Sequence, residues 1–90
     1  MMRFETTALY RKEYKLAKKR GLDVSLLDSV ILDLLEQKGL APKYRDHALG
    51  GKYTGCRECH IQPDWLLIYR VDHGILTLTA MRTGSHADLF

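Results

Sequence analysis

Tyr53-Thr54-Gly55-Cys56-Arg57-Glu58-Cys59-His60-Ile61, then Gln62-Pro63-Asp64, then Trp65-Leu66-Leu67-Ile68-Tyr69-Arg70-Val71 is the stretch that decides the fold. The first run alternates, so Thr54, Cys56, Glu58 and His60 share one side of an extended chain. Tyr53, Gly55, Arg57, Cys59 and Ile61 share the other. Pro63 interrupts the run, and Gln62-Pro63-Asp64-Trp65 fits a β-turn with Pro at its second position. The run from Trp65 to Val71 is nearly all apolar, the pattern of a central strand covered on both faces. Asp72-His73-Gly74 is a hairpin signal. Ile75 to Met81 alternates again, with Leu76, Leu78 and Ala80 on one face and Thr77 and Thr79 on the other.

Upstream of these strands the period changes. Residues 2 to 6 alternate as a short strand. From Ala8 to Arg20, Tyr10, Tyr14 and Ala17 share one helical face, and Thr6 or Thr7 can cap its start. Gly21 suits the position just past its end. A second helix follows from about Val24 to Lys38. Asp23 is its N-cap, Leu22 and Leu27 form a hydrophobic staple, and Gly39 ends it. Leu27, Val30, Ile31, Leu34 and Leu35 make its apolar stripe, which belongs to the core. Leu40 to Lys52 has Pro42, Gly50 and Gly51 and no clean period. It reads as a long loop exposing Lys43, Arg45, Asp46 and His47, and loops of that length are often functional. The order of elements is strand, helix, helix, three strands, an α+β arrangement in one domain spanning 1–90.

Composition narrows the function classes. No apolar run is long enough to span a membrane, and Met1-Met2-Arg3-Phe4-Glu5 has no signal-peptide core, so a cytoplasmic protein without membrane partners is expected. Its two cysteines then stay reduced. The net charge is +3. Seven Lys and Arg residues stand in the first twenty positions against two acids, which favours a polyanionic partner.

Chemistry concentrates at one end of the sheet. A tight turn at 72–74 pairs residues whose numbers sum to about 146, setting Asp64 opposite Arg82. The turn at 62–65 returns His60 to the same end, and His86 lies four residues beyond Arg82. Spacing alone does not place His47. Such a group suits RNA cleavage, because RNA carries its own nucleophile in the ribose 2′-hydroxyl. One histidine removes that proton, another protonates the leaving 5′-oxygen, Asp64 orients a ring, and Arg57 and Arg82 fork onto phosphate. This chemistry needs no metal and no cofactor.

The run His47-Ala48-Leu49-Gly50-Gly51, the block Gly55 to Tyr69 with His60-Ile61-Gln62-Pro63-Asp64-Trp65, and the tail Arg82-Thr83-Gly84-Ser85-His86 to Phe90 resemble the YafQ branch of the RelE/ParE toxin superfamily over nearly the whole chain. The resemblance implies a RelE/ParE-like fold, with two N-terminal helices packed on a small antiparallel sheet (β-α-α-β-β-β). It implies a type II toxin that cuts mRNA on the ribosome and is held inactive by a cognate antitoxin, with operator DNA bound only as a toxin–antitoxin complex. By position it implies His47, His60, Asp64 and His86 as catalytic, with His86 as acid and His47 or His60 as base. Arg57 and Arg82 fall near the scissile phosphate, and Phe90 stacks on a base. Lys52 and Glu58 complete the substrate-contacting set. The basic first helix is assigned to ribosomal RNA.

Rival readings are weaker. Cys56-Arg57-Glu58-Cys59-His60 matches a haem attachment pattern, yet in a strand its cysteines point to opposite faces. Zinc lacks a second pair of ligands. Both cysteines depart from the family pattern and are expected to tune packing or oxidation sensitivity. Trp65, Tyr10, Tyr14 and Tyr69 read as packing groups, and His73 as a turn residue. A toxin that acts by binding, on a topoisomerase or as a non-cleaving RNA-binding module, is the non-enzymatic alternative, and the histidine set argues against it.

Overall fold

The computed structural model describes all residues 1–90. Its elements are β1 (Arg3–Thr6), α1 (Ala8–Lys19), α2 (Val24–Leu35), β2 (His47–Ala48), β3 (Arg57–Gln62), β4 (Trp65–Asp72), β5 (Thr77–Gly84) and α3 (His86–Leu89), with single 3-10 turns at Pro42–Tyr44 and Gly51–Tyr53. One sheet runs in the order β1-β5-β4-β3-β2. The α+β arrangement expected from the sequence is present. The outermost pair differs from the expected antiparallel set, because β1 lies parallel to β5.

The helices begin and end for local reasons. Thr7 caps α1, its hydroxyl accepting from the Tyr10 amide, and Asp23 caps α2 by accepting from Ser25. Gly21 takes the left-handed conformation just after α1. There the amides of Gly21 and Leu22 close back on the carbonyls of Lys18 and Ala17. At the end of α2 the same geometry falls on Gln37, at φ 59°, and not on Gly39. The helix therefore stops at Leu35, three residues before the expected Lys38. The bonds from Gln37 to Leu34 and from Lys38 to Asp33 satisfy the last carbonyls early.

Alternation along the strands sorts the core into two layers. Cys59, Ile61, Trp65, Leu67, Tyr69, Leu78 and Ala80 meet Tyr10, Ala17, Leu27, Val30, Ile31 and Leu35 of the helices. Cys56, Leu66, Ile68 and Leu89 form a smaller layer on the other face. Leu27, Leu66, Leu67, Ile68 and Leu78 are fully buried. Each such side chain contributes roughly 1.5–3 kcal/mol before chain entropy is subtracted. Trp65 is buried and donates to the Thr83 hydroxyl at 3.0 Å, so it is a packing residue as expected.

Two expectations about the strands are corrected. The alternating run does not become strand until Arg57, because the turn at 51–53 takes Tyr53 out of the sheet. The β4–β5 hairpin is also wider than a tight turn. Asp72 pairs with Thr77, and Leu76 adopts φ 47° inside the connection. A bulge between Ile68 and Tyr69 adds one more residue to the offset. Arg82 therefore pairs with Ile68. Asp64 is carried towards His86 instead of Arg82.

Candidate active site

Three histidines converge at the open end of the sheet. β2 brings His47 opposite Glu58, a pairing that sequence spacing does not reveal. β3 carries Glu58 and His60 two residues apart on one face. α3 supplies His86. The short helix is held by a capping box in which the Ser85 hydroxyl and the Asp88 carboxylate each accept from the other residue's backbone. A Cβ at Gly84 would stand 3.0 Å from Asp88, so glycine permits this close approach. Leu89 anchors the helix in the smaller core layer. The His60 ring centroid lies 5.6 Å from that of His86 and 6.4 Å from that of His47.

Each ring is oriented through the same nitrogen. His47 Nδ1 lies 2.6 Å from the Arg45 carbonyl, and His60 Nδ1 lies 3.3 Å from the Pro63 carbonyl. A carbonyl has no hydrogen to give, so both Nδ1 atoms must donate. His86 Nδ1 lies 2.7 Å from Asp64 Oδ1, which also accepts the His86 backbone N–H at 2.9 Å. That backbone bond, then the ring bond, hold the Asp64 carboxyl below its ordinary range. An ionised Asp64 leaves His86 Nδ1 as the donor too. All three rings thus keep Nε2 for other work.

Two of those Nε2 atoms face one buried carboxylate. Glu58 Oε1 is 3.6 Å from His47 Nε2 and 3.5 Å from His60 Nε2. Both distances are long for a direct hydrogen bond. Its Oε2 is buried with no hydrogen-bond partner. Glu58, His60 and His86 also offer ligand atoms within 4.8 Å of one another, a spacing at which a divalent cation could be held.

The remaining expected residues divide. Phe90 is exposed and packs edge-on against Tyr53 at 5.5 Å, beside the His86 ring at 6.5 Å. Lys52 lies exposed over Tyr53 and has no acid partner. Arg82 is not free for phosphate. Glu13 binds its guanidinium at 2.7 and 3.2 Å and raises its pKa, and its third contact is the Tyr53 hydroxyl at 3.1 Å. Tyr53 in turn donates to the Leu89 carbonyl, so Arg82 braces the helix that carries His86. Arg57 is not brought to the cluster. It alternates onto the helix-covered face and pairs with Asp46 at 3.0 Å, where Asp46 also takes the Tyr69 hydroxyl.

Glu13, Asp46 and Tyr53 are the residues that sequence reasoning missed. No local signal marks the first two as partners of Arg82 and Arg57, which lie 69 and 11 residues further along the chain. Asp88 had a readable signal, the Ser85-x-x-Asp88 capping pattern. Cys56 and Cys59 are buried in opposite core layers. Burial pushes the Cys59 thiol up to about 12, so it stays protonated and unreactive. That removes the expected oxidation sensitivity at Cys59, and the pair cannot hold a haem or zinc together.

Residues 2–90 match the family described as the bacterial toxin of type II toxin-antitoxin system, YafQ. The chain is similar to a protein named mRNA interferase toxin YafQ from Escherichia coli (strain K12), with 39% identity over 87 residues, covering 96% of this chain and 92% of that one. A metal-bound toxin from Helicobacter pylori has a TM-score of 0.94 at 42% identity over the full length of both chains. A chain from the crystal structure of the E. coli DinJ–YafQ complex has a TM-score of 0.91 at 35% identity, covering 100% of this chain and 99% of its own.

Proposed function

The chain belongs to the YafQ family of bacterial toxins, and from that premise we infer that it is an endoribonuclease that destroys mRNA on translating ribosomes by histidine acid–base catalysis. The type II toxin identity and the mRNA interferase activity follow the family and its E. coli relative. The finer reading rests on one observation: three neighbouring histidines have Nδ1 tied back, which leaves each Nε2 unengaged by a backbone carbonyl or Asp64.

In this reading Nε2 of His47 or His60 takes the proton of the ribose 2′-hydroxyl. The 2′-oxygen attacks the adjacent phosphorus while His86 Nε2 protonates the departing 5′-oxygen. One P–O bond forms and one breaks, leaving a 2′,3′-cyclic phosphate and a 5′-hydroxyl. Glu58 is the counter-charge to the imidazolium formed on its neighbour, and Asp64 fills that role for His86. Each acid or base supplies roughly 100- to 10,000-fold. Phe90 stacks on a base beside the cut, and Lys52 faces phosphate. No step requires a metal. A cation held by Glu58, His60 and His86 would take up the nitrogens the reaction needs.

The exposed Lys12, Lys15, Lys18 and Lys19 of α1 have no ion-pair partners and suit ribosomal RNA by counterion release. A cognate antitoxin is the natural protein partner, as DinJ is for the E. coli relative. The site of action is the cytoplasm, where mRNA is translated. Primer extension on mRNA in a translating extract tests the reading. Wild-type protein should leave discrete cuts, and His86→Ala should lose about 100-fold or more of that activity. Arrested translation without cuts would return the weight to a toxin that acts by binding.

A further inference from the structure

We propose that the cleft between α2 and the Pro42–Tyr44 turn is the track of the mRNA strand beside the cut, with Lys43 and Arg45 holding its backbone phosphates. This deepens, and rests on, the nuclease reading above. The cleft has a volume of about 610 Å³. Leu26, Tyr44 and Ile61 supply its apolar wall, Gln62 a polar edge, and His60 is among the residues that line it. A chain lying in it touches a residue of the candidate active site.

The charges make the case. Two of the cations expected at the phosphate are already neutralised. Arg57 is spent on Asp46 and Arg82 on Glu13. Lys43 and Arg45 are exposed, line the cleft and meet no carboxylate at ion-pair distance. Lys43 Nζ sits 5.1 Å above the Tyr44 ring, a contact that leaves its positive charge available. Phosphate binding by such side chains positions a strand without reading its sequence.

The backbone couples this cleft to the chemistry. Arg45 adopts a left-handed conformation, φ 48°, which turns its carbonyl onto His47 Nδ1 at 2.6 Å. Asp46, the next residue, is drawn to Arg57 and Tyr69 on the helix-covered face. The loop is thus pinned on one side while its two cations remain outside. Sequence reasoning saw these cations only as loop residues.

The test uses Lys43→Ser combined with Arg45→Asn, since asparagine tolerates the left-handed conformation. Lys38→Ser combined with Arg70→Ser removes the same charge outside the cleft. The probe is a short single-stranded RNA with every ribose 2′-O-methylated, which binds without being cut. The double cleft variant should bind about 100-fold more weakly than wild type. Its salt dependence should be shallower by about 1.4 in log–log slope, two phosphates at about 0.7 each. The charge control should stay near wild type in both. Equal loss in the control, an unchanged slope in the cleft variant, or no binding by the wild type would each overturn the proposal. Primer extension with the same wild-type protein separates the two claims. Cuts in the extract with no cleft effect sink the track alone, whereas absent cuts sink the nuclease reading beneath it.

Discussion

One face of the sheet is covered by α1 and α2 and closes over a cluster of fourteen buried apolar residues, while the other face buries a cluster of only four apolar residues and leaves its end to polar groups. On the covered face the polar atoms that enter the core are paired: Trp65 with Thr83, Tyr69 with Asp46. On the thin face Glu58 is buried with one oxygen unpartnered, between two histidines. An unpaired buried polar atom costs about 1–3 kcal/mol. The chain carries that cost where packing is sparse and a substrate can reach. In the proposed reading, stability and chemistry reside on opposite sides of the same strands. β3 holds both, with Cys59 and Ile61 facing one way and Glu58 and His60 the other.

The comparison can be broken from either side. Leu67→Ala on the covered face should show the largest stability effect, about 2–5 kcal/mol in denaturant unfolding, with cleavage per folded molecule unchanged. A loss of cleavage beyond the loss of folded protein would show that the faces are not separable. Leu89→Ala, in the smaller layer, should cost less than about 2 kcal/mol, because a terminal four-residue helix can readjust. It should nonetheless depress cleavage well beyond its effect on stability, since Leu89 anchors the helix that bears His86 and Phe90. Equal and small effects on both would say that α3 needs no anchor.

Acid gives the smallest and most local effect. Asp64 and Asp88 both have carboxyl pKa values lowered by hydrogen bonds from the backbone of α3 and its cap. A lowered folded value means stabilisation that is complete above the unfolded value and lost as pH falls through the folded one. α3 should therefore stay docked from neutral pH down to about 4 and loosen below it. Amide exchange at Leu89 and Phe90 reads this directly. Loosening on raising the pH from neutrality would contradict the assignment.

The sequence made the covered face far more legible than the thin one. The α1 and α2 stripes, the Thr7 and Asp23 caps and Gly21 are local signals, and they hold. The end of α2 is not legible, because Gln37 takes the left-handed position that Gly39 suits by residue type. The hairpin register failed because its connection contains Leu76 in a left-handed conformation and β4–β5 carries a bulge, neither of which has a local signature. His47 could not be placed because β2 is two residues long and exists only by pairing with β3. The site residues themselves were visible as residue types, with the family resemblance setting their roles. Their pairings were not, since Glu13–Arg82 and Asp46–Arg57 are decided by the tertiary fold. That is why two arginines expected at the phosphate turn out to brace the structure.

The central claim is that three imidazoles turn the ribose 2′-hydroxyl on its own phosphate, so the most direct measurement removes that hydroxyl. An mRNA carrying a single 2′-deoxynucleotide at a mapped cut site should resist cleavage there and remain cut at other sites. The unmodified message should yield a 2′,3′-cyclic phosphate and a 5′-hydroxyl. Undiminished cutting at the deoxy position, with a 3′-hydroxyl and a 5′-phosphate, would mean that an activated water does the work, and the account of the histidines would be wrong.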